Sequence, residues 1–281
     1  MPPPGNAAGQ ERGLQGLDLH RAYPQLFTRS EADLVTSLQG AAATVRPRHK
    51  LVQAGVPVTA CSYLLEGFAG RYRADHQGRR QLLGLLIPGD FIDLPTWRLG
   101  HSDHEIVALA PARVCALPHA AISDLRQDAP DLYDKLWQVT LLDAAIERYW
   151  TFRNGRLTGR ARIASLFAEA LVRQYARGLC GLNGCPLPIS QTDLAEACGM
   201  TPVHANRMLG ELRQEQVCLF LDGRVEVMDL AGLFRQAQFD WDYLYLPPEI
   251  SERLAEIARG EAAPVPQGWA RQAAARRVRR L

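Results

Sequence analysis

The stretch Pro188-Ile-Ser-Gln-Thr-Asp-Leu-Ala-Glu-Ala-Cys-Gly-Met-Thr-Pro-Val-His-Ala-Asn-Arg-Met-Leu-Gly-Glu-Leu-Arg213 reads as two short helices joined by a sharp turn. Ser190 is a good helix N-cap, and Asp193 three residues later can return a bond to it, which makes a capping box. Leu194, Ala195 and Cys198 give that helix one small apolar face. Gly199 can take positive φ without strain and ends it. Thr201 caps the next helix, and Pro202 stands at its first position, where the missing N–H is not needed. In this second helix, residues 202–214, Ala205, Met208, Leu209 and Leu212 recur at core-facing spacing and leave Val203, Asn206 and Arg207 together outside.

That pattern is a helix-turn-helix, and its outer face predicts double-stranded DNA as the partner. Arg can donate two bonds to guanine O6 and N7, Asn can pair with adenine N6 and N7, and an apolar side chain such as Val can touch a thymine methyl. Each bidentate pairing discriminates by roughly 1–3 kcal/mol. Val203, Asn206 and Arg207 are therefore the candidate base readers. Ser190, Thr192, Thr201 and His204 lie near the helix starts, where hydroxyls, imidazole and free backbone N–H groups can hold phosphates. Directly afterwards, the β-like runs 218–221 and 224–228 flank Asp222-Gly223, a two-residue hairpin signal, so the element reads as a winged helix-turn-helix.

Charge runs against the simplest version of this reading. Between Gly178 and Gly232 three arginines (Arg207, Arg213, Arg224) face seven acidic residues (Asp193, Glu196, Glu211, Glu215, Asp222, Glu226, Asp229), whereas a DNA-binding face is ordinarily basic. Basic residues are instead concentrated before the motif, at Arg153, Arg156, Arg160, Arg162, Arg173 and Arg177, and in a terminal run from Arg271 to Arg280.

Working outward, residues 45–117 hold short β-like runs punctuated by Gly55, Gly67, Gly78 and Gly89, a spacing that predicts stacked hairpins closing into a barrel or roll large enough to hold a small ligand. From Pro130 the pattern turns helical, with Leu132, Leu136, Val139, Leu142, Ile146 and Tyr149 as an apolar stripe. A stripe this broad predicts that one edge covers the roll while the other pairs with a second copy, so these six residues are the candidate interface of a homodimer. A further helix is expected over 158–177. The expected division is a flexible start (1–19), a β-roll (20–129), a dimerisation helix (130–154), a winged helix-turn-helix domain (155–235) and a carboxy-terminal extension (236–281) with a partly disordered basic tail.

At 281 residues, 47% hydrophobic and 22% charged, the chain has the composition of a globular protein with two cores. Its longest apolar run, near 82–87, is too short to span a bilayer, and residues 1–13 lack the layout of a signal peptide, so a cytoplasmic location is expected. Six scattered cysteines read as structural thiols.

A β-roll, a long helix and a carboxy-terminal winged helix in this order resemble the cyclic-AMP receptor and fumarate/nitrate regulator (CRP/FNR) family of bacterial transcription factors, over roughly residues 20–235. Pro88-Gly-Asp-Phe-Ile92 is similar to the family's stretch before its phosphate-binding cassette, and Arg207 falls where the family's recognition helix carries a guanine-reading Arg. The resemblance implies an α+β fold: a cyclic-nucleotide-binding-like β-roll, a long dimerisation helix and a winged helix-turn-helix. It also implies a homodimer reading a roughly palindromic site, with RNA polymerase as a further partner. The departures imply something too. Asp93-Leu-Pro-Thr-Trp-Arg replaces the family's Gly-Glu-Leu continuation, and Asp93, Asp103 and Glu105 stand where an anionic ligand needs N–H groups and a guanidinium. The amino-terminal cysteine cluster of oxygen-sensing members is absent. Neither cyclic-nucleotide nor iron–sulfur dependence is expected, no cofactor or metal is assigned, and the effector is left open. Val203 stands where many members carry Glu, so a different half-site is expected.

Two other classes fit part of the pattern. His101, Asp103, His104 and Glu105 on a β-roll could bind a metal in a cupin-like enzyme, but His101 and His104 would point to opposite faces of a strand. A winged helix can also serve as a protein-binding scaffold, in which case Asn206 and Arg207 are ordinary surface residues.

Overall fold

Gly55, Gly67, Gly78 and Gly89 all adopt positive φ, and between them run the strands of the roll. At Gly67 the requirement is absolute, because a β-carbon there would lie 2.4 Å from the Pro111 carbonyl oxygen. The computed structural model describes residues 18–261. Two short helices, α1 (Leu19–Ala22) and α2 (Arg29–Ser37), precede strands β1 (Ala43–Val45), β2 (Lys50–Val52), β3 (Ala60–Glu66), β4 (Ala69–Ala74), β5 (Arg80–Leu86), β6 (Glu105–Ala108) and β7 (Ala112–Pro118), with a one-turn helix α3 (Thr96–Leu99) between β5 and β6. The strands form two antiparallel sheets, ordered β1-β7-β3 and β2-β6-β4-β5.

Helix α4 (His119–Asp128) leads into the long helix α5 (Pro130–Arg156). Helix α6 (Gly159–Ala176) is capped by Thr158 and buried along nearly its whole length. The Gly/Pro-rich stretch after it contributes strand β8 (Gly184–Pro186), which pairs with β10 (Arg224–Val227); β10 pairs in turn with β9 (Cys218–Leu221). The wing is thus three-stranded. The hairpin turns at Asp222 and Gly223, both at positive φ, the backbone that a two-residue turn with right-handed strand twist demands. Helices α7 (Gln191–Ala197) and α8 (Pro202–Gln214) form the helix-turn-helix. After the wing come α9 (Leu230–Ala237), a 3-10 turn (Asp242–Leu244) and α10 (Pro248–Ala258). The basic run 271–280 and most of the expected flexible start lie outside the described residues.

The core does not divide where the sequence suggests a boundary. Roll side chains Phe68, Tyr72, Leu82, Leu85 and Ile87 share one apolar cluster with Phe167 and Leu171 of α6 and with Leu194, Ala205 and Leu212 of the helix-turn-helix. A second cluster joins α1, α2, the roll and the first half of α5. Buried charge reinforces the junction. Asp90, of the Pro88-Gly-Asp turn, accepts from Arg173 at 2.6 Å and Arg177 at 2.7 Å, both on or at the end of α6. Burial works against an ionised carboxylate, but the two guanidinium groups outweigh it and hold Asp90 below the usual carboxylate range.

Candidate nucleic-acid interface

The capping box read from sequence is present. Ser190 Oγ accepts from the Asp193 amide at 3.1 Å, and Asp193 Oδ2 accepts from the Ser190 amide at 3.0 Å. Thr201 Oγ1 accepts from the His204 amide at 3.3 Å and starts α8. Gly199 has φ of 58° and makes the turn. Ala205, Met208 and Leu212 are buried, whereas Val203 is 81% exposed and Asn206 and Arg207 are exposed beside it. Val203 stands on the face that also carries the two polar readers.

Of the four residues expected near phosphates, Ser190, Thr192 and Thr201 are exposed. His204 is half-buried and turned inward: a β-carbon at Gly159 would come within 2.5 Å of its Nε2. Its Nδ1 accepts from Arg207 Nη2 at 3.1 Å. The imidazole thus lies against the start of α6 and holds the Arg207 guanidinium beside it.

The acidity of the motif also has a structural answer. Asp193 is 1% exposed and takes Arg48 of the roll in a two-pronged pair, 3.1 Å to Oδ1 and 2.8 Å to Oδ2, while Tyr72 donates to Oδ1 at 2.8 Å. Burial alone would raise its pKa, but the bonds from Arg48, Ser190 and Tyr72 prevail and hold the carboxyl far below its ordinary value. Glu196 pairs with Arg80 at 3.5 Å, Glu215 with Arg160, and Asp229 with Arg235. Four of the seven acidic groups are therefore neutralised by arginines lying outside the motif.

The six side chains expected at a dimer interface have packing partners within the chain. Leu132, Leu136 and Val139 are buried against α1, α2 and the roll of the same chain. Leu142 and Ile146 line a crevice with Leu244, Leu246 and Pro247, and Tyr149 stacks on Tyr243 with ring centres 3.8 Å apart. The large apolar groups α5 leaves exposed are Trp137, Leu141 and Phe152, on the opposite side of the helix. The apolar pattern concealed this because α5 is apolar on three sides.

A cavity of about 500 Å³ lies between β4, β5, the 92–104 segment, α5 and Gly199 of the turn. Asp93 and Asp103 reach it as expected, but Glu105 pairs with Lys50 on β2 instead. Sequence reading missed its charged centre. Arg71 is bound at 2.7 Å by Asp143 and at 3.2 Å by Glu147 of α5. Two acidic residues one turn apart on the inner side of an apolar helix were the available signal. His101 pairs by backbone with Pro57, and His104 bonds Asp103 at 2.8 Å.

Residues 43–129 match the cyclic nucleotide-binding domain and residues 161–235 the Crp-like helix-turn-helix domain. The chain is 29% identical over 184 residues to the transcriptional activator protein FnrL of Cereibacter sphaeroides, covering 64% of this chain and 73% of that protein. It is 24% identical over 172 residues to the nitrogen fixation regulation protein FixK of Bradyrhizobium diazoefficiens, covering 60% and 70% respectively. The chain belongs to the CRP/FNR family of transcriptional regulators. Its fold is that of solved CRP/FNR structures: FixK2 from Bradyrhizobium japonicum superposes with a TM-score of 0.63 at 20% identity, over 70% of this chain and 96% of that one. No helix among the described residues is long and apolar enough to cross a membrane.

Proposed function

We propose that this CRP/FNR regulator acts in the cytoplasm as a homodimer that reads a roughly palindromic DNA site with α8, through Val203, Asn206 and Arg207. Ser190, Thr192 and Thr201 hold the backbone. One observation carries the reading: α8 buries Ala205, Met208 and Leu212 and presents an 81%-exposed Val203 next to an Asn and an Arg on its free side. Half-sites then lie about 10 bp apart, centre to centre. Trp137, Leu141 and Phe152 of α5 form the dimer contact, since the other apolar faces of that helix are filled from within the chain. RNA polymerase is the further partner that transcriptional control requires.

Cyclic-nucleotide dependence is not part of the proposal. The cavity's guanidinium, Arg71, already has two carboxylates at hydrogen-bond distance, and a cyclic phosphate would have to displace them and face Asp93 and Asp103. The test is selection of genomic fragments by ligand-free protein beside Arg207→Ala. An inverted repeat enriched by the wild type and lost by the variant, with no gain on adding cyclic AMP, supports the reading. Equal DNA affinity of the two proteins for every fragment would sink it and favour a protein-binding scaffold.

A further inference from the structure

The first helix of the reading head is gripped at both ends by one hairpin of the roll. At its start, Asp193 is held by Arg48 and Tyr72, with Arg80 lying 4.3 Å over the Tyr72 ring and 3.6 Å from the Asp193 carboxylate. At its end, Gln81 donates to the Glu196 carbonyl, Asn154 of α5 to the Ala197 carbonyl at 3.0 Å, and Arg162 of α6 to the Cys198 carbonyl at 3.2 Å. Tyr72, Arg80 and Gln81 all belong to β4 and β5. A capping-box acid on a surface helix ordinarily faces water; here it is 1% exposed because the roll covers it.

We infer that Arg48 and Tyr72 of the roll are positioning residues for DNA recognition, fixing the orientation of the helix-turn-helix so that the two α8 helices of a dimer meet two half-sites at one set separation. The inference rests on the DNA-binding reading above. Two observations give its sense. The gripped state leaves Val203, Asn206 and Arg207 uncovered, so the grip does not occlude the reading face. Holding a reading head in its bound orientation removes ordering cost from binding, and two heads joined through rigid bodies tolerate little change in spacing. Arg48 remains half-exposed, so a direct phosphate contact by Arg48 is the rival explanation for any loss of affinity.

The experiment compares wild type, Arg48→Ala, Tyr72→Phe, the double variant and Arg48→Lys on the wild type's own selected operator and on copies with one base pair added to or removed from the spacer. Folding is checked by circular dichroism, and every affinity is measured across a salt series. Wild type should lose at least tenfold in affinity on either altered spacer. The Ala and Phe variants should bind the native operator at least tenfold more weakly but discriminate spacers less than threefold, with an unchanged salt slope, and Arg48→Lys should recover part of the discrimination. Three results overturn the inference: a wild type indifferent to spacing, variants that keep full spacing discrimination, or an Arg48→Ala defect that is uniform over spacers with a shallower salt slope, which marks a phosphate contact. A wild type that selects no DNA at all refutes the DNA-binding reading instead.

Discussion

Asp93 is a carboxyl group in the wrong medium. It is 4% exposed, its Oδ1 accepts from the Ser62 amide at 2.6 Å, and burial raises its pKa to about 6. A carboxyl whose pKa is raised in the fold binds its proton more tightly there than in the unfolded chain. Its stabilising contribution is complete below about pH 4 and is lost as pH rises through about 6. Asp93→Asn keeps the acceptor for Ser62 and removes the charge, so the variant should be more stable than wild type at pH 7 by on the order of 2 kcal/mol. Denaturant melts at pH 4 and pH 7 check this; an equal stability difference at both values would refute it. Asp193 shows what residue-level reading can and cannot reach. Its capping role was legible because both partners lie within four residues. Its bonds to Tyr72 and Arg48 span 121 and 145 positions of chain, and no local pattern encodes a contact of that range.

At the scale of elements, helices α5 to α8 and the wing were legible from periodicity, caps and the Asp222-Gly223 turn. The strand β8 was not, since three residues of Gly-Cys-Pro in a Gly/Pro-rich run carry no alternation. Periodicity identified α5 but did not rank its faces, because burial against the roll, the 239–247 segment or a partner draws on the same apolar residues. The exposed set now singles out one face. Leu141→Glu combined with Phe152→Glu should leave the fold intact, since both side chains are exposed, and should convert a dimer into monomers with operator affinity reduced at least a hundredfold. Sedimentation velocity reads the first effect and a gel-shift titration the second. A double variant that remains dimeric would return the interface to another surface.

At the scale of the molecule, residues 239–247 act as a strap over α5 and α6. Tyr243 stacks on Tyr149, and its hydroxyl donates to Glu169 at 3.1 Å, where Trp150 Nε1 and Arg153 also converge. Tyr245 offers its carbonyl to Gln25 near the start of the described chain at 2.9 Å. Tyr243→Ala removes a partly buried ring and leaves the buried Glu169 carboxylate short of one donor, so it should cost about 2–4 kcal/mol. Chemical denaturation measures this, and a loss below about 1 kcal/mol would show the strap to be only loosely attached.

The strap also gives α5 a history. On the ribosome, Ile146 and Tyr149 emerge long before Tyr243 and Leu246 follow to cover them. At about 5–20 residues per second, the interval is roughly 5–20 s. Throughout it a nascent chain presents two sticky sides of one helix to its neighbours on the same message, and the arrival of the strap withdraws one of them. Pairing before that moment can seal the inner face against a second chain; pairing after it finds, among the large apolar groups of α5, Trp137, Leu141 and Phe152 exposed. The timing of synthesis therefore enters the choice of partner surface.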